Sequence, residues 1–309
     1  MLNQLKRRAL QFGFDRYYAW RISEFSEHQV IEVDYPVDPS PRYLPATGPH
    51  PILWQWFDRQ RAACVEMLQA IAAYRVRFEA IPTESVGANS PYWKQPWFSA
   101  LDAMALYVLI ASRRPSRIIE IGSGNSTRFA AAAIADHGLG TTLTSIDPHP
   151  RADIDVLCDE VIRAPLECVD QRVFRELRAG DFLFVDSSHR TFTNSDVTTL
   201  FFEVLPALPA GALVHVHDVF LPWDYPTQWR NRYYSEQYLL GCWLLSGPER
   251  LRLVQSNVFA SWDDELRNTM TELFAASSLS WMCAPDYEYG SLRGVSGTSF
   301  WAEVAGPIG

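Results

Sequence analysis

Glu120-Ile-Gly-Ser-Gly-Asn-Ser-Thr127, overlapping the apolar run Arg117-Ile-Ile-Glu-Ile121, is the strongest architectural signal in the chain. An apolar run that breaks into glycines and then hydroxyl residues reads as strand, turn and helix start. Gly122 permits a tight turn and Gly124 lets backbone approach a ligand closely. Ser126 or Thr127 can cap the next helix, whose amino end then faces that ligand. Thr127 stands where a dinucleotide fingerprint would have its third glycine. The next apolar run, Thr142-Leu-Thr-Ser-Ile-Asp147, closes on an acid, placed to accept both hydroxyls of a ribose.

The pattern repeats downstream. Glu160-Val-Ile162, Asp181-Phe-Leu-Phe-Val-Asp186 and Ala212-Leu-Val-His-Val-His217 read as further strands. Helical segments at 127–137, 170–178 and 196–205 lie between most of them. Leu251–Val258 and Thr298–Val304 add two more strands, separated by a helix near 263–275. Strands alternating with helices imply right-handed crossovers, hence an α/β class with a doubly wound, seven-stranded, mostly parallel sheet. Leu101–Ala111 reads as a helix leading into this unit. The first 95 residues differ: aromatic patches, a Pro-rich stretch over 35–51 and a helix over about 53–74. The reading is an N-terminal helical and loop-rich attachment or lid (1–95) on a ligand-binding domain (96–309), with self-association expected through the N-terminal region.

Composition excludes several classes. The 309 residues are 48% hydrophobic and 20% charged, which suits a packed core. A net charge of -9 opposes a general grip on nucleic acid phosphates. Apolar runs such as 104–111 fall well short of the roughly 20 residues of a membrane span. Neither a nucleic acid nor a membrane partner is expected. The five cysteines form no C-x-x-C pair and read as reduced thiols, so the expected location is the cytoplasm. The surplus is aromatic, at 13%.

Glu120, two residues before the first glycine, would repel a phosphate but suits the ammonium of an amino-acid moiety. No second glycine turn follows the fourth strand. S-adenosylmethionine, cationic and free of phosphate, meets both conditions. On these motifs residues 96–309 resemble class I S-adenosylmethionine-dependent methyltransferases, a Rossmann-like fold. The resemblance implies a seven-stranded sheet whose last strand is antiparallel. It implies that Glu120, Gly122, Ser123, Gly124, Asn125 and Ser126 follow the methionine and ribose, that Asp147 holds the ribose and that Leu166 lies along the adenine. Ser99, in Tyr92-Trp-Lys-Gln-Pro-Trp-Phe-Ser99, would line the methionine side with Trp97 and Phe98.

The fourth and fifth strands end in Asp186-Ser-Ser-His189 and His215-Val-His-Asp218. Ligands of doubly wound sheets bind beyond the carboxyl ends of strands, so Asp186, His189, His217 and Asp218 should meet there, with Asp186 also beside the donor. His215 is expected on the opposite face. Methylating a hydroxyl needs a base, a role suited to histidine. The chain is similar to metal-dependent sugar O-methyltransferases of the macrocin and mycinamicin type, which implies catalytic roles for His189, as general base, and Asp186. It also implies Asp186 and Asp218 as ligands of a divalent ion (Mg, Mn or Fe). His217 stands where that family has an acidic ligand, which weakens a magnesium site. Asp186 and Asp218 therefore read either as ligands, with His217, or as hydrogen-bond partners.

Seven aromatics fall within 221–245. Among them Trp223, Tyr225 and Trp229, with His217, are the expected lining for a small-molecule acceptor. N-methylation, a non-methylating use of the donor, and a non-catalytic cofactor-binding subunit remain as alternative readings.

Overall fold

The computed structural model describes residues 37–306 except Pro285 and Gly290, together with the isolated positions Arg8, Gly13, Arg16 and Tyr35. The apolar runs form strands β1 (Arg117–Ile121), β2 (Thr142–Ile146), β3 (Glu160–Ile162), β4 (Phe182–Val185) and β5 (Leu213–Val216). They are followed by β6 (Leu251–Ser256), a short hairpin of β7 (Glu288–Tyr289) and β8 (Leu292–Arg293), and β9 (Phe300–Val304). The seven-stranded sheet has the order β3-β2-β1-β4-β5-β9-β6. β1 to β5 pair in parallel, whereas β9 runs antiparallel to both β5 and β6. The chain steps outward from β1 to β3 and returns on the other side of β1 to β4. This reversal opens the crevice between the carboxyl ends of β1 and β4.

Helices cover the sheet. Before β1 come α1 (Pro51–Asp58), α2 (Arg61–Ala73), α3 (Arg75–Glu79) and α4 (Ala100–Arg113). α5 (Asn125–Asp136) joins β1 to β2, and the single turn α6 (Arg172–Arg175) precedes β4. α7 (Asp196–Thr199) runs through a π-helical stretch, Leu200–Val204, into α8 (Leu205–Ala207). α9 (Glu236–Ser246), α10 (Asn257–Trp262) and α11 (Asp264–Phe274) complete the set among the described residues. Every residue of α4 from Ala100 to Ala111 is buried, as expected of a helix apolar on all sides.

Several boundaries depart from the sequence reading. The helix read over about 53–74 breaks at Arg59–Gln60 into α1 and α2. The Gln60 side chain there donates to Trp56 O (3.2 Å) and accepts from Leu253 N–H (2.8 Å), joining the break to β6. β6 stops at Ser256 because Ser256 Oγ caps α10, accepting from Phe259 N–H (3.3 Å). The helix read over 170–178 shrinks to the four residues of α6.

The division between compact units falls after Pro39, not at residue 95. α1 and α2 belong to the core of the sheet: Phe57, fully buried, packs on Phe259 and Phe300. Each such ring contributes about 1.5–3 kcal/mol by leaving water. Of the attachment expected to serve as a lid and in self-association, residues 37–95 are described, and most of residues 1–36 lie outside the described residues. No helix among the described residues is long and apolar enough to cross a membrane. All five cysteines are unpaired.

Candidate active site

β1 ends at Ile121 and the chain turns at once. Gly122 adopts φ +79°, and a Cβ there would lie 1.7 Å from the Asp186 carbonyl oxygen. Asp186 N–H donates to Ile121 O (2.8 Å), so the turn is pressed against the end of β4. A Cβ on Gly124 would meet nothing within 4 Å, leaving that face of the turn open.

Glu120 is buried under this turn, and its two oxygens accept from Ser126 Oγ (2.5 Å) and Thr127 Oγ1 (2.6 Å). Burial pushes its carboxyl up to about 7, although the two hydroxyls pull the other way. Glu120 therefore braces the first turn of α5 beneath the open face. Asp147, just past β2, accepts Ser123 N–H (2.9 Å) and His149 N–H (2.8 Å). Each of its oxygens keeps a second lone pair. Asn125 Nδ2 donates to Gln95 Oε1 (2.8 Å), which also accepts the amides of Trp97 and Phe98 (2.9 Å each). The segment before α4 is thereby tied to the glycine turn. Ser99 is buried, with its hydroxyl engaged by Asp102 Oδ2 (2.6 Å) and Ser296 O (2.7 Å). Leu166 is buried in a single 3-10 turn, Leu166–Cys168.

The ends of β4 and β5 bring the four acidic and imidazole groups together. His189 Nε2 lies 3.3 Å from Asp186 Oδ1 and 3.6 Å from Asp218 Oδ2. Its Nδ1 is 2.8 Å from Glu236 Oε2, at the start of α9. His189 O accepts the Ser235 and Glu236 amides (2.8 and 3.2 Å), so the first turn of α9 grips this residue twice. His217 Nδ1 sits 3.5 Å from Asp186 Oδ1 and 3.4 Å from Asp218 Oδ1, while its Nε2 faces Asp102 Oδ2 (3.4 Å). His189 (φ +59°) and Asp218 (φ +55°) both adopt left-handed backbone, an uncommon conformation for non-glycine residues that clusters at functional sites.

Burial opposes charge on both imidazoles, but the carboxylates outweigh it. Asp186, Glu236 and Asp218 raise His189 well above its ordinary value, and Asp186, Asp218 and Asp102 do the same for His217. Burial disfavours ionised Asp186 too, yet the two histidines hold it well below the usual carboxylate range. The result is a charge-compensated cluster of alternating imidazolium and carboxylate.

In this arrangement these side chains pair with one another and present no preformed site for a divalent ion. All four imidazole nitrogens face carboxylates, so a metal would have to displace these pairings and the protons they hold. Among the described residues no group of three or more His, Cys, Asp or Glu is arranged to hold a metal ion. Of Asp186, Asp218 and His217, read from the sequence as metal ligands or hydrogen-bond partners, His217 pairs with each of the two aspartates.

His215 is a correction. It lies on the same side as His217, with ring centroids 5.8 Å apart, because residues two apart on a strand share a face. It stacks on Phe184 (3.8 Å) and bonds Ser299 Oγ through Nε2 (2.7 Å). Burial lowers it well below the ordinary range, so it is a neutral core residue.

Two partners were missed by the sequence reading. Asp102 in α4 is fully buried and accepts from Asn257 Nδ2 (2.7 Å) and from the amides of Thr298 (2.9 Å) and Ser299 (2.7 Å), besides facing His217. Its signal was available: it is the one charged residue between Ala100 and Ser112. Glu236, in Tyr-Tyr-Ser-Glu-Gln-Tyr, carried no such mark.

Trp223, Tyr225 and Trp229 are buried in an aromatic layer with Phe220, Phe259 and Trp262. They reach the cluster through Tyr234, whose ring is 5.8 Å from Tyr225, 5.7 Å from Trp229 and 4.7 Å from His189. The aromatic residue beside the histidine–carboxylate cluster is thus Tyr234.

Residues 119–219, from the middle of β1 to just beyond β5, match the family model described as a methyltransferase domain. No curated protein matches the chain. Among solved structures, the chain is similar to the SAH-bound methyltransferase PaMTH1 of Podospora anserina, at 15% identity and a TM-score of 0.35, over 73% of this chain and 93% of that one. It is also similar to a putative O-methyltransferase from Klebsiella pneumoniae, at 14% identity and a TM-score of 0.32, over 82% of this chain and 99% of that one.

Proposed function

We propose that this chain is an S-adenosylmethionine-dependent methyltransferase acting on a hydroxyl of a small molecule. The observation that supports the reading most directly is the junction of Gly122 with Asp186 at the switch point, within the matched segment. It sets the open glycine turn, whose Ser123 amide donates to Asp147, against Asp186 of the His189 cluster. The turn and Asp147 would hold the donor through its methionine and ribose. Glu120 would act through the helix start it braces and, when ionised, as a negative charge under the turn that suits the donor's ammonium.

The chemistry is an in-line displacement in which the acceptor oxygen attacks the sulfonium methyl, so positioning supplies much of the rate. His189 would first release the Nε2 proton that Asp186 and Asp218 favour, and the neutral ring would then take the hydroxyl proton at Nε2 as the O–C bond forms and the S–C bond of the donor breaks. Glu236 fixes the ring through Nδ1, and the surrounding carboxylates raise its affinity for the proton. Asp186 would orient the attacking hydroxyl between turn and base.

The test is methyl transfer from labelled S-adenosylmethionine to a panel of hydroxylated acceptors, alongside calorimetry of S-adenosylhomocysteine binding. Binding of that product with methyl-ether formation is the expected result. His189→Ala should then lower turnover by about 100-fold or more while leaving product affinity intact. Failure of the wild-type chain to bind S-adenosylhomocysteine would sink the proposal.

A further inference from the structure

Arg190 follows the proposed base, and Arg232 lies on the segment leading into α9. Both side chains converge on Tyr234, with guanidinium carbons 5.1 and 5.4 Å from its ring centroid, on a ring that itself touches His189. Arg232 also lies 4.0 Å over the Trp229 ring. Neither guanidinium makes a salt bridge with a carboxylate among the described residues, whereas Arg61, Arg117 and Arg163 all do.

Their hydrogen bonds leave much of each fork unused. Arg190 donates from Nε to Arg232 O (3.0 Å) and from Nη1 to Ser188 O (3.2 Å). Arg232 donates from Nη1 to Tyr234 Oη (3.4 Å). Nη2 of Arg190, and Nε and Nη2 of Arg232, have no protein partner among the described residues. Both arginines and Tyr234 are only partly exposed. The acids of the site do not serve them: Asp186 and Asp218 face the two histidines, and Glu236 faces His189. The intervening Tyr233 adopts φ +52°, a third left-handed non-glycine residue around this site after His189 and Asp218. Such backbone persists where the surroundings enforce it.

Two half-buried guanidiniums with open donor edges and no carboxylate suit an oxyanion that offers two oxygens, which such forks bind bidentately. From these contacts we infer that Arg190 and Arg232 form an anion subsite of the acceptor pocket, so that the acceptor is a hydroxylated molecule carrying a carboxylate or phosphate. The anion lies about one aromatic ring's width from the hydroxyl presented to His189. This inference rests on the methyltransferase reading for the neighbouring donor site, but its test reads binding alone.

The experiment is calorimetry on the full chain saturated with S-adenosylhomocysteine, using 4-hydroxybenzoate, 4-hydroxyphenyl phosphate and neutral 4-hydroxybenzamide as probes. The expected result is about tenfold or greater preference for at least one anion over the amide. Which anion binds tighter separates a carboxylate acceptor from a phosphate one. Arg232→Gln should abolish the preference while S-adenosylhomocysteine affinity stays within about twofold, showing that the fold and donor site persist. Arg190→Gln should act likewise, but its side chain also holds two backbone carbonyls, so the Arg232 variant is the primary one. Equal binding of the three probes, no binding of any, or a preference that survives Arg232→Gln would overturn the subsite. Loss of S-adenosylhomocysteine binding in the wild type would instead strike the donor reading.

Discussion

Gly122 shows how much one missing methyl group matters. A side chain at φ +79° would be strained, and its Cβ would overlap the Asp186 carbonyl oxygen at 1.7 Å. Gly122→Ala is therefore expected to destabilise the chain by several kcal/mol and to spread β1 from β4, removing S-adenosylhomocysteine binding. Urea unfolding together with calorimetry checks this; a variant as stable as the parent and still binding would show that the turn can relax. Glu120 gives a pH signature at the same scale. Its carboxyl is raised from 4.5 to about 7 by burial, so the folded chain holds a proton that the unfolded chain has released over that interval. The contribution to stability is complete below pH 4.5 and is lost as pH rises through about 7. Between about pH 5 and 8 the melting temperature of the parent should fall more than that of Glu120→Gln. Parallel curves for the two proteins would refute the burial argument.

At the scale of elements, Asp102 fastens α4 to the chain entering β9. Its carboxylate accepts two successive backbone amides, at Thr298 and Ser299, and meets Asn257 at the start of α10. It also faces His217, so one side chain joins a helix, a strand entry and the histidine–carboxylate cluster. Asp102→Ala should cost about 3–5 kcal/mol, because two buried amides and an imidazolium lose their acceptor together. Burial disfavours the ionised form, but His217, Ser99 and Asn257 outweigh it and hold the carboxyl down to about 2. Its stabilisation is present above the unfolded value near 3.8 and disappears as pH falls through about 2. Acid unfolding of Asp102→Asn, followed by circular dichroism, should be correspondingly flatter below pH 4. Elements also explain what could be read beforehand. β4 announced itself because four consecutive apolar residues, Phe182-Leu-Phe-Val185, lie between Asp181 and Asp186 and fit a strand buried on both faces; the other strands read as shorter apolar runs that end in polar residues. The break at Gln60 was hidden because it depends on a bond to Leu253, distant in sequence. Asp186, His189, His217 and Asp218 were legible because they lie just beyond the ends of β4 and β5, where ligands of such sheets bind. Glu236 was not, since only the fold brings α9 to His189. The aromatic run in 221–245 marked the right neighbourhood, but hydrophobic packing took Trp223, Tyr225 and Trp229 inward and left Tyr234 at the site.

The whole molecule depends on β9. Phe300–Val304 lies between β5 and β6, with Ala302 paired to Val214 on one side and Leu253 on the other. A proline there removes a ladder donor and clashes within a central strand. Ala302→Pro should therefore abolish cooperative unfolding of the sheet as a unit, seen as a loss of the urea transition. A sharp transition near the parental midpoint would mean that β6 can stay docked without it. The same placement bears on how the protein is made. β1 to β5 can assemble once α8 and β5 have been synthesised, but β6 has no neighbour in the sheet until residue 304 has followed it. For that interval the nascent chain presents two open strand edges, on β5 and on β6, each a template for pairing with another chain. Cells expressing this protein should accumulate aggregates when translation stalls between β6 and β9, and the hazard should vanish once the intervening strand slides into place.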